Sequence, residues 1–288
     1  MNLSLKVRTL NFFRNIFKVP ALESLLATKT QNKLPTSLIC KFVPNAYQYA
    51  PGNYRQIYRN GLNFQVDISD YIGHYLYFGF LDEGIATLFS LCQKNYNVID
   101  IGTNIGWVAL NFARLSKTGK VIGFEPDPFN YRVCKDNIDR NALTNLIVLP
   151  YGLGETSAQV NMEIRTPDNR GENRIAPQGS SGSVIVDIKK LDDINEVSSL
   201  PNIHLMKLDV EGYELKVLRG AVNTLKKHKP TLFIEVDDDN LNDQGDSSKD
   251  LISFLKSNGY SSILQAETNE KITSSTDFSH CHFDIIAR

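Results

Sequence analysis

The chain has 288 residues, 42% hydrophobic and 22% charged, which is enough apolar material for one large or two small cores and argues against a disordered chain. A net charge of −1 gives no case for a nucleic-acid partner. The four cysteines, Cys40, Cys92, Cys134 and Cys281, lie far apart without a CxxC pair, so reduced thiols in a cytoplasmic protein are expected, not a disulfide frame or a zinc site. No stretch reaches the roughly 18 consecutive apolar residues of a membrane span, and no signal-peptide core is visible.

In chain order, residues 1–20 carry Lys6, Arg8, Arg14 and Lys18 and no acid. Leu3, Val7, Leu10 and Phe17 follow a helical spacing, with Phe12, Phe13 and Ile16 beside them. Such a basic amphipathic helix is expected to pack on the main domain or on a second subunit in a homo-oligomer; peripheral contact with the inner membrane face is the alternative. Residues 1–95 lack a βα rhythm, and Val43-Pro44-Asn45 and Ala50-Pro51-Gly52-Asn53 read as loops. This region is predicted to be a helical and irregular cap that serves the substrate or oligomerisation. Its tyrosines (Tyr47, Tyr49, Tyr54, Tyr58, Tyr71, Tyr75 and Tyr77) could form a platform for a flat acceptor or simply pack. His74 among them reads as a packing residue more than a second base.

From residue 97 the alternation is clear: strand 97–102, helix 105–117, strand 120–125, helix 128–140 and strand 145–151. Gly119 is placed as a left-handed helix cap. The strands show little polar alternation, which suits a parallel sheet covered on both faces. Short strands are predicted at Gln159–Ile164 and Ser183–Ile188. The polar loop between them, Pro167 to Gly182, is expected near the strand carboxyl ends, where Arg170 and Arg174 could grip an acidic acceptor. The rhythm resumes with strand 203–209, helix Tyr213–Lys227, strand Thr231–Val236 and a helix at 248–257 closed by Asn258-Gly259. Tyr260–Ala266 and His282–Ala287 are predicted as a final antiparallel pair.

The first turn, Asp100-Ile-Gly-Thr-Asn-Ile-Gly106, joins an apolar strand to a helix, and the next strand ends in Glu125, 23 residues after Gly102. That spacing suits a carboxylate that accepts ribose hydroxyls. A dinucleotide fingerprint wants two further glycines, where this chain has Asn104 and Trp107. The turn is therefore a poor diphosphate cradle and a good one for a phosphate-free ligand, with Asp100 able to meet an ammonium. S-adenosylmethionine (SAM) fits. A nicotinamide-dependent oxidoreductase and a non-catalytic SAM-binding scaffold are the alternatives.

Further along, Lys207, Asp209 and Glu211 alternate at a strand end, and Glu235 ends the next strand. Three charges on one side of an apolar strand are costly unless they pair or face a cleft. Asp209 is the candidate base or substrate anchor, with Lys207 and Glu211 shaping its charge and Glu235 nearby. No metal is expected; were Mg²⁺ used, Asp209, Glu235 and Asp237 are the candidate ligands. His280 and His282 read as parts of an exposed turn, and His204 and His228 as structural.

Three blocks in order now carry a resemblance: Asp100-Ile-Gly-Thr-Asn-Ile-Gly106; Phe124-Glu-Pro-Asp-Pro128 with Asn137-Ile-Asp-Arg-Asn141; and Lys207-Leu-Asp-Val-Glu-Gly-Tyr-Glu214 with Val217-Leu-Arg-Gly-Ala221. The chain resembles the FkbM-type SAM-dependent methyltransferases over about residues 96–236. The resemblance implies a Rossmann-like class I methyltransferase domain at 96–288, with a seven-stranded, mostly parallel sheet whose last strand is antiparallel. It implies O-methylation of a hydroxyl on a sugar, glycan or secondary metabolite. Carried over by motif, Asp100, Gly102, Asn104 and Gly106, with Thr103 between them, hold the methionine part of SAM. Glu125, next to Pro126, holds the ribose; Tyr151 and Gly152 lie near adenine; Asp209 and Glu211 face the methyl group and the acceptor.

Overall fold

The aliphatic runs form the strands that their lack of alternation predicts. In the computed structural model, which describes residues 5–166, 169–176, 184–273 and 275–288, the core sheet has seven strands, numbered here in chain order. They are β1 (Val98–Ile101), β2 (Val121–Phe124), β3 (Leu146–Leu149), β4 (Leu205–Leu208), β5 (Thr231–Asp237), β6 (Ile263–Gln265) and β7 (His282–Ala287). Their spatial order is β3-β2-β1-β4-β5-β7-β6. The pairs from β3 to β5 are parallel, and β7 runs antiparallel to both β5 and β6. This is the expected Rossmann-like class I methyltransferase sheet. Every residue of β1, β2 and β4 is buried, as central strands covered by helices on both faces must be.

Two helices follow the first two strands, Trp107–Leu115 and Pro128–Asp139, the second opened by Asp127 as N-cap and Pro128 at its first position. Gly119 is not the expected left-handed cap; the first helix ends at Leu115 with Ser116 as its cap. Glycine is needed at 119 for a different reason: a Cβ there would lie 1.9 Å from the Tyr96 carbonyl oxygen. The predicted helix Tyr213–Lys227 is two helices, Glu214–Arg219 and Val222–His228, broken at Gly220-Ala221. A second, four-stranded sheet lies between β3 and β4 in the chain, built from Gly152–Leu153, Ala158–Glu163, Arg174–Ile175 and Val184–Lys189. Its Ala158–Glu163 and Val184–Lys189 strands pair antiparallel, matching the two short strands expected there within a residue or so. Gly179 to Gly182 of the predicted polar loop, like Leu3 and Ser183, lies outside the described residues.

The chain divides into two compact units: 1–83 with 166–171, and 84–165 with 172–288. The division falls at Glu83–Gly84, ahead of the boundary expected at 95. The first unit holds helices Leu5–Arg14, Pro20–Lys29 and Tyr71–Phe78 around a small core of Leu26, Ala27, Val43 and Phe78. It also holds an antiparallel hairpin, Tyr54–Arg59 with Leu62–Asp67, where loops and helices were expected. Its signal was present: Asn60-Gly61 takes φ of 53° and 79°, the pattern of a tight hairpin turn, between runs that alternate in polarity. His74 is buried with its Nε2 2.7 Å from the Pro44 carbonyl and its ring beside Phe78, a packing residue as expected. Burial lowers its pKa to about 4, so it stays neutral. Tyr49 is buried, while Tyr47, Tyr54, Tyr58 and Tyr71 are exposed.

Candidate active site

The site grows from the carboxyl ends of β1, β2, β4 and β5. Gly102, immediately after β1, has a φ of 82°, and a Cβ there would stand 1.9 Å from the Asp209 carbonyl oxygen. Only glycine lets the ends of β1 and β4 meet this closely. Thr103 is buried and locks the turn: its hydroxyl donates to the Asp100 carbonyl (3.1 Å) and accepts from the Phe124 amide (3.0 Å). Asn104, at φ 51°, turns its backbone N–H onto Glu125 Oε2 at 2.7 Å. The Asp127 amide donates to Glu125 Oε1 at 2.9 Å. Glu125 and the glycine turn therefore converge, as their sequence spacing predicts. Burial pushes the Glu125 carboxyl up to about 8, against the pull of those two amides. Gly106 is the left-handed residue that opens the following helix, and Asn137, buried in the next one, braces the turn by donating to the Ile105 carbonyl (3.0 Å).

Pro126 and Gly152 face each other; a Cβ on Gly152 would lie 3.4 Å from the proline ring. Tyr151 points its ring into the core near Phe124, and the Lys189 ammonium sits 4.0 Å from the ring centroid. The partly exposed backbone at Gly102 and Asn104, the Glu125 carboxylate and the narrow Pro126–Gly152 step fit an adenosine with an amino-acid end. Among the described residues the lysine at the glycine turn is already committed, which argues against a phosphate cradle there.

That lysine is Lys207, buried on β4. Its Nζ donates to the Gly102 carbonyl at 2.9 Å, pairs with Asp209 Oδ2 at 3.0 Å and lies 3.8 Å from Asp100 Oδ1. Burial works against its charge, but Asp209 and Asp100 outweigh that and hold it above the usual lysine range. The ammonium that Asp100 faces is thus this one. Asp100 itself has no exposed surface, and burial raises its carboxyl to about 6 despite Lys207. Lys207 ties the cofactor turn to the acidic end of β4.

Beyond β4 the strand alternation stops. Glu211 reaches the side of Asp209 through a turn, with φ of 54° at Glu211 and 95° at Gly212. One carboxylate oxygen from each of Asp209, Glu211 and Glu235 lies within 4.8 Å of the others. Burial first, and then the mutual repulsion of these acids, raises the pKa of Glu211 and Glu235. Two residues that sequence reading left without a role hold this turn. Glu214 is buried and accepts from the Val210 amide (3.0 Å) and the Gly212 amide (3.2 Å). Asn240 donates to Glu211 Oε2 at 2.9 Å. An acid opening a helix directly after a glycine turn was a visible signal for Glu214. Asn240 had none, because its partner lies 29 positions away in the chain.

Two expectations change here. Asp237 does not join the acidic group: its Oδ1 caps the next helix through the Asn240 amide (2.8 Å), and its Oδ2 meets His282 Nδ1 at 3.0 Å. Glu211 takes its place, so among the described residues Asp209, Glu211 and Glu235 are the group that could hold a hard cation. Arg174 is not free for an acceptor: it is buried, donating to Asp243 (2.8 Å), Glu163 (3.2 Å) and Asn240 (3.4 Å). His280 and His282 form no joint site, since His280 pairs with Asp239 (2.8 Å) while His282 turns its Nε2 toward Glu235 at 3.9 Å. All four cysteines are free.

Comparison with known proteins places the chain in a family. Residues 100–262 match the Methyltransferase FkbM domain. The chain is 33% identical over 144 residues to the hexuronic acid methyltransferase AglP of Haloferax volcanii, covering 49% of this chain and 56% of that one. It is 29% identical over 167 residues to the 2-O-methyltransferase NoeI of Sinorhizobium fredii, covering 53% and 68%. The chain thus spans little more than half the length of the first of these relatives. Among solved structures, the FkbM methyltransferase from Methylobacillus flagellatus aligns with 20% identity and a TM-score of 0.45 over 68% of this chain and 44% of its own. The nicotinamide oxidoreductase reading falls with the family match. The chain belongs to the FkbM family of methyltransferases, whose cofactor is S-adenosylmethionine.

Proposed function

We propose that this chain methylates a hydroxyl of a neutral sugar or similar polyol, and that the unit formed by 84–165 and 172–288 carries the chemistry. The observation that carries the reading is the convergence of Asp209, Glu211 and Glu235 within 4.8 Å, next to the turn that Lys207 ties to them. The backbone of Gly102 and Asn104 would hold the amino-acid end of SAM, Glu125 its ribose, and the Pro126–Gly152 step its base. When bound, the cofactor supplies an electrophilic methyl group on a good leaving group. A sugar hydroxyl is a weak acid, so its proton must be taken as the oxygen attacks, a service typically worth about 10²–10⁴-fold in rate. Asp209, already paired with Lys207, orients the acceptor hydroxyl. Burial and the neighbouring acids push the carboxyls of Glu211 and Glu235 up, and whichever of the two is ionised receives the proton from the acceptor. Lys207 positions both sides without touching the reacting atoms.

Carboxylates so placed repel an acidic acceptor and hydrogen-bond a polyol well, and Arg174, one of the two arginines expected to grip an acid, is spent. The names of the two relatives, one acting on a hexuronic acid and one a 2-O-methyltransferase, support a sugar acceptor in general. The test is methyl-labelled SAM with a panel of neutral sugars, uronic acids, phenols and amines. Label is expected in a neutral sugar, falling about 10²-fold or more in Glu211→Gln with SAM affinity kept. Label confined to amines or uronic acids overturns the acceptor class. Activity lost on chelation and restored by Mg²⁺ would instead place a cation among Asp209, Glu211 and Glu235.

A further inference from the structure

The first helix is mounted the wrong way round for a soluble cap. Its polar side faces the body of the first unit: Asn11 is buried and donates to the Tyr47 hydroxyl (2.9 Å), and Arg14 donates to the Lys41 carbonyl (2.8 Å). Lys18, just beyond, donates to the Gln48 carbonyl. Its apolar side faces out. Leu5, Phe12, Phe13 and Ile16 are between 52% and 79% exposed. Leu5, Phe12 and Ile16 are spaced seven and four residues apart, one stripe of a helix, with the exposed Arg8 one turn from Leu5 and from Phe12. Within the chain, this segment therefore packs by its polar side and leaves its apolar side uncovered. Val19, Leu25, Leu34, Leu38 and Phe42 add exposed apolar side chains within the same unit.

Charge decides what covers this face. The first unit has ten Lys and Arg against six acids, a net +4, and its basic residues are concentrated in 1–66, where nine Lys and Arg face one acid, Glu23; since the whole chain carries −1, the second unit carries −5. Glu23 is itself buried and paired with Arg55 at 2.7 Å. A second copy would bring another strongly basic surface to the contact. An anionic lipid surface brings the opposite charge and a place for the aromatic and aliphatic side chains. We propose that the first unit docks on anionic bilayers through Leu5, Phe12, Phe13 and Ile16, with the basic residues around them gripping headgroup phosphates. No helix among the described residues is long and apolar enough to cross a membrane, so the contact is one of lying on the surface. This proposal does not rest on the methyl-transfer reading.

The experiment is co-sedimentation of the full chain with vesicles of phosphatidylcholine alone and with phosphatidylglycerol added, alongside light scattering. Sedimentation is expected only with the anionic vesicles, and weaker in high salt. The triple variant Phe12→Ser, Phe13→Ser, Ile16→Ser should partition roughly tenfold or more weakly. Because these side chains are exposed, its circular dichroism and methyl transfer to a soluble acceptor should match the wild type. Absence of binding to anionic vesicles, or equal binding by the triple variant, overturns the proposal. So does a concentration-dependent dimer that the same variant abolishes, which would make the face a contact between copies.

Discussion

The two turns that build the site reach the same backbone region by different means. At the end of β1 the left-handed positions fall on Gly102, Asn104 and Gly106, residue types that adopt such φ at little or modest cost. At the end of β4 the left-handed position before Gly212 is Glu211, which a glycine or asparagine would fill more cheaply. The first turn is shaped for fit. The second keeps a half-buried carboxylate among other acids in spite of its conformation, with Glu214 and Asn240 fixing the turn from both sides. Strain kept where a cheaper residue exists points to a use for the side chain.

That contrast can be broken most forcefully at Gly102. Gly102→Ala puts a methyl group against the Asp209 carbonyl in a left-handed conformation, and should cost about 3 kcal/mol or more of unfolding free energy, read by denaturant titration, with SAM binding lost in calorimetry. An alanine that is tolerated would mean the β1 and β4 ends are not held this closely. Glu211→Gly should act in the opposite sense on stability. Relief of strain and of crowding among the acids is expected to raise stability by about 1 kcal/mol, while methyl transfer falls about 10²-fold or more. Equal losses in both measurements would show that Glu211 is merely structural.

The smallest effect concerns pH. Burial raises Glu214 to about 7 and Glu125 to about 8, above the ordinary glutamate value of 4.5. Folding that raises the pKa of an acid favours its protonated form, so this contribution to stability is fully present below about pH 4.5 and is lost as pH rises toward about 7–8. The unfolding midpoint of the ligand-free chain should therefore fall across that window. Glu214→Gln keeps the oxygen that accepts from Val210 and Gly212 but removes the titration, so its curve should be flatter. Parallel curves for the two proteins would leave Glu214 ionised throughout.

What could be read from the sequence follows the range of the forces involved. The strands and the first turn were visible because aliphatic runs, glycine and a carboxylate at a fixed spacing are local signals. The closing antiparallel pair was visible for the same reason, and so was the hairpin at Asn60-Gly61, which went unread behind the nearby loop signals. The partners of Lys207 were only half visible. Asp209 lies two positions away, but the Gly102 carbonyl lies 105 positions away and comes close only through the β1–β4 pairing. Arg174 looked like an exposed loop cation because its partners Asp243 and Asn240 lie 69 and 66 positions on. Asp237 looked like a ligand because it ends β5, but its cap bond to Asn240 is made first.

The chain of contacts from Arg174 through Asn240 to Glu211 has one more consequence. Arg174 belongs to the small sheet inserted between β3 and β4, not to the seven-stranded one. The orientation of Glu211 is thus tied partly to an appendage, whereas Gly102 and the Asn104 amide that meets Glu125 sit at the end of β1 in the central framework. Changes around Arg174 can therefore alter how Glu211 is presented without touching the Glu125 contacts, but the appendage cannot be exchanged wholesale, because its Gly152 also faces Pro126.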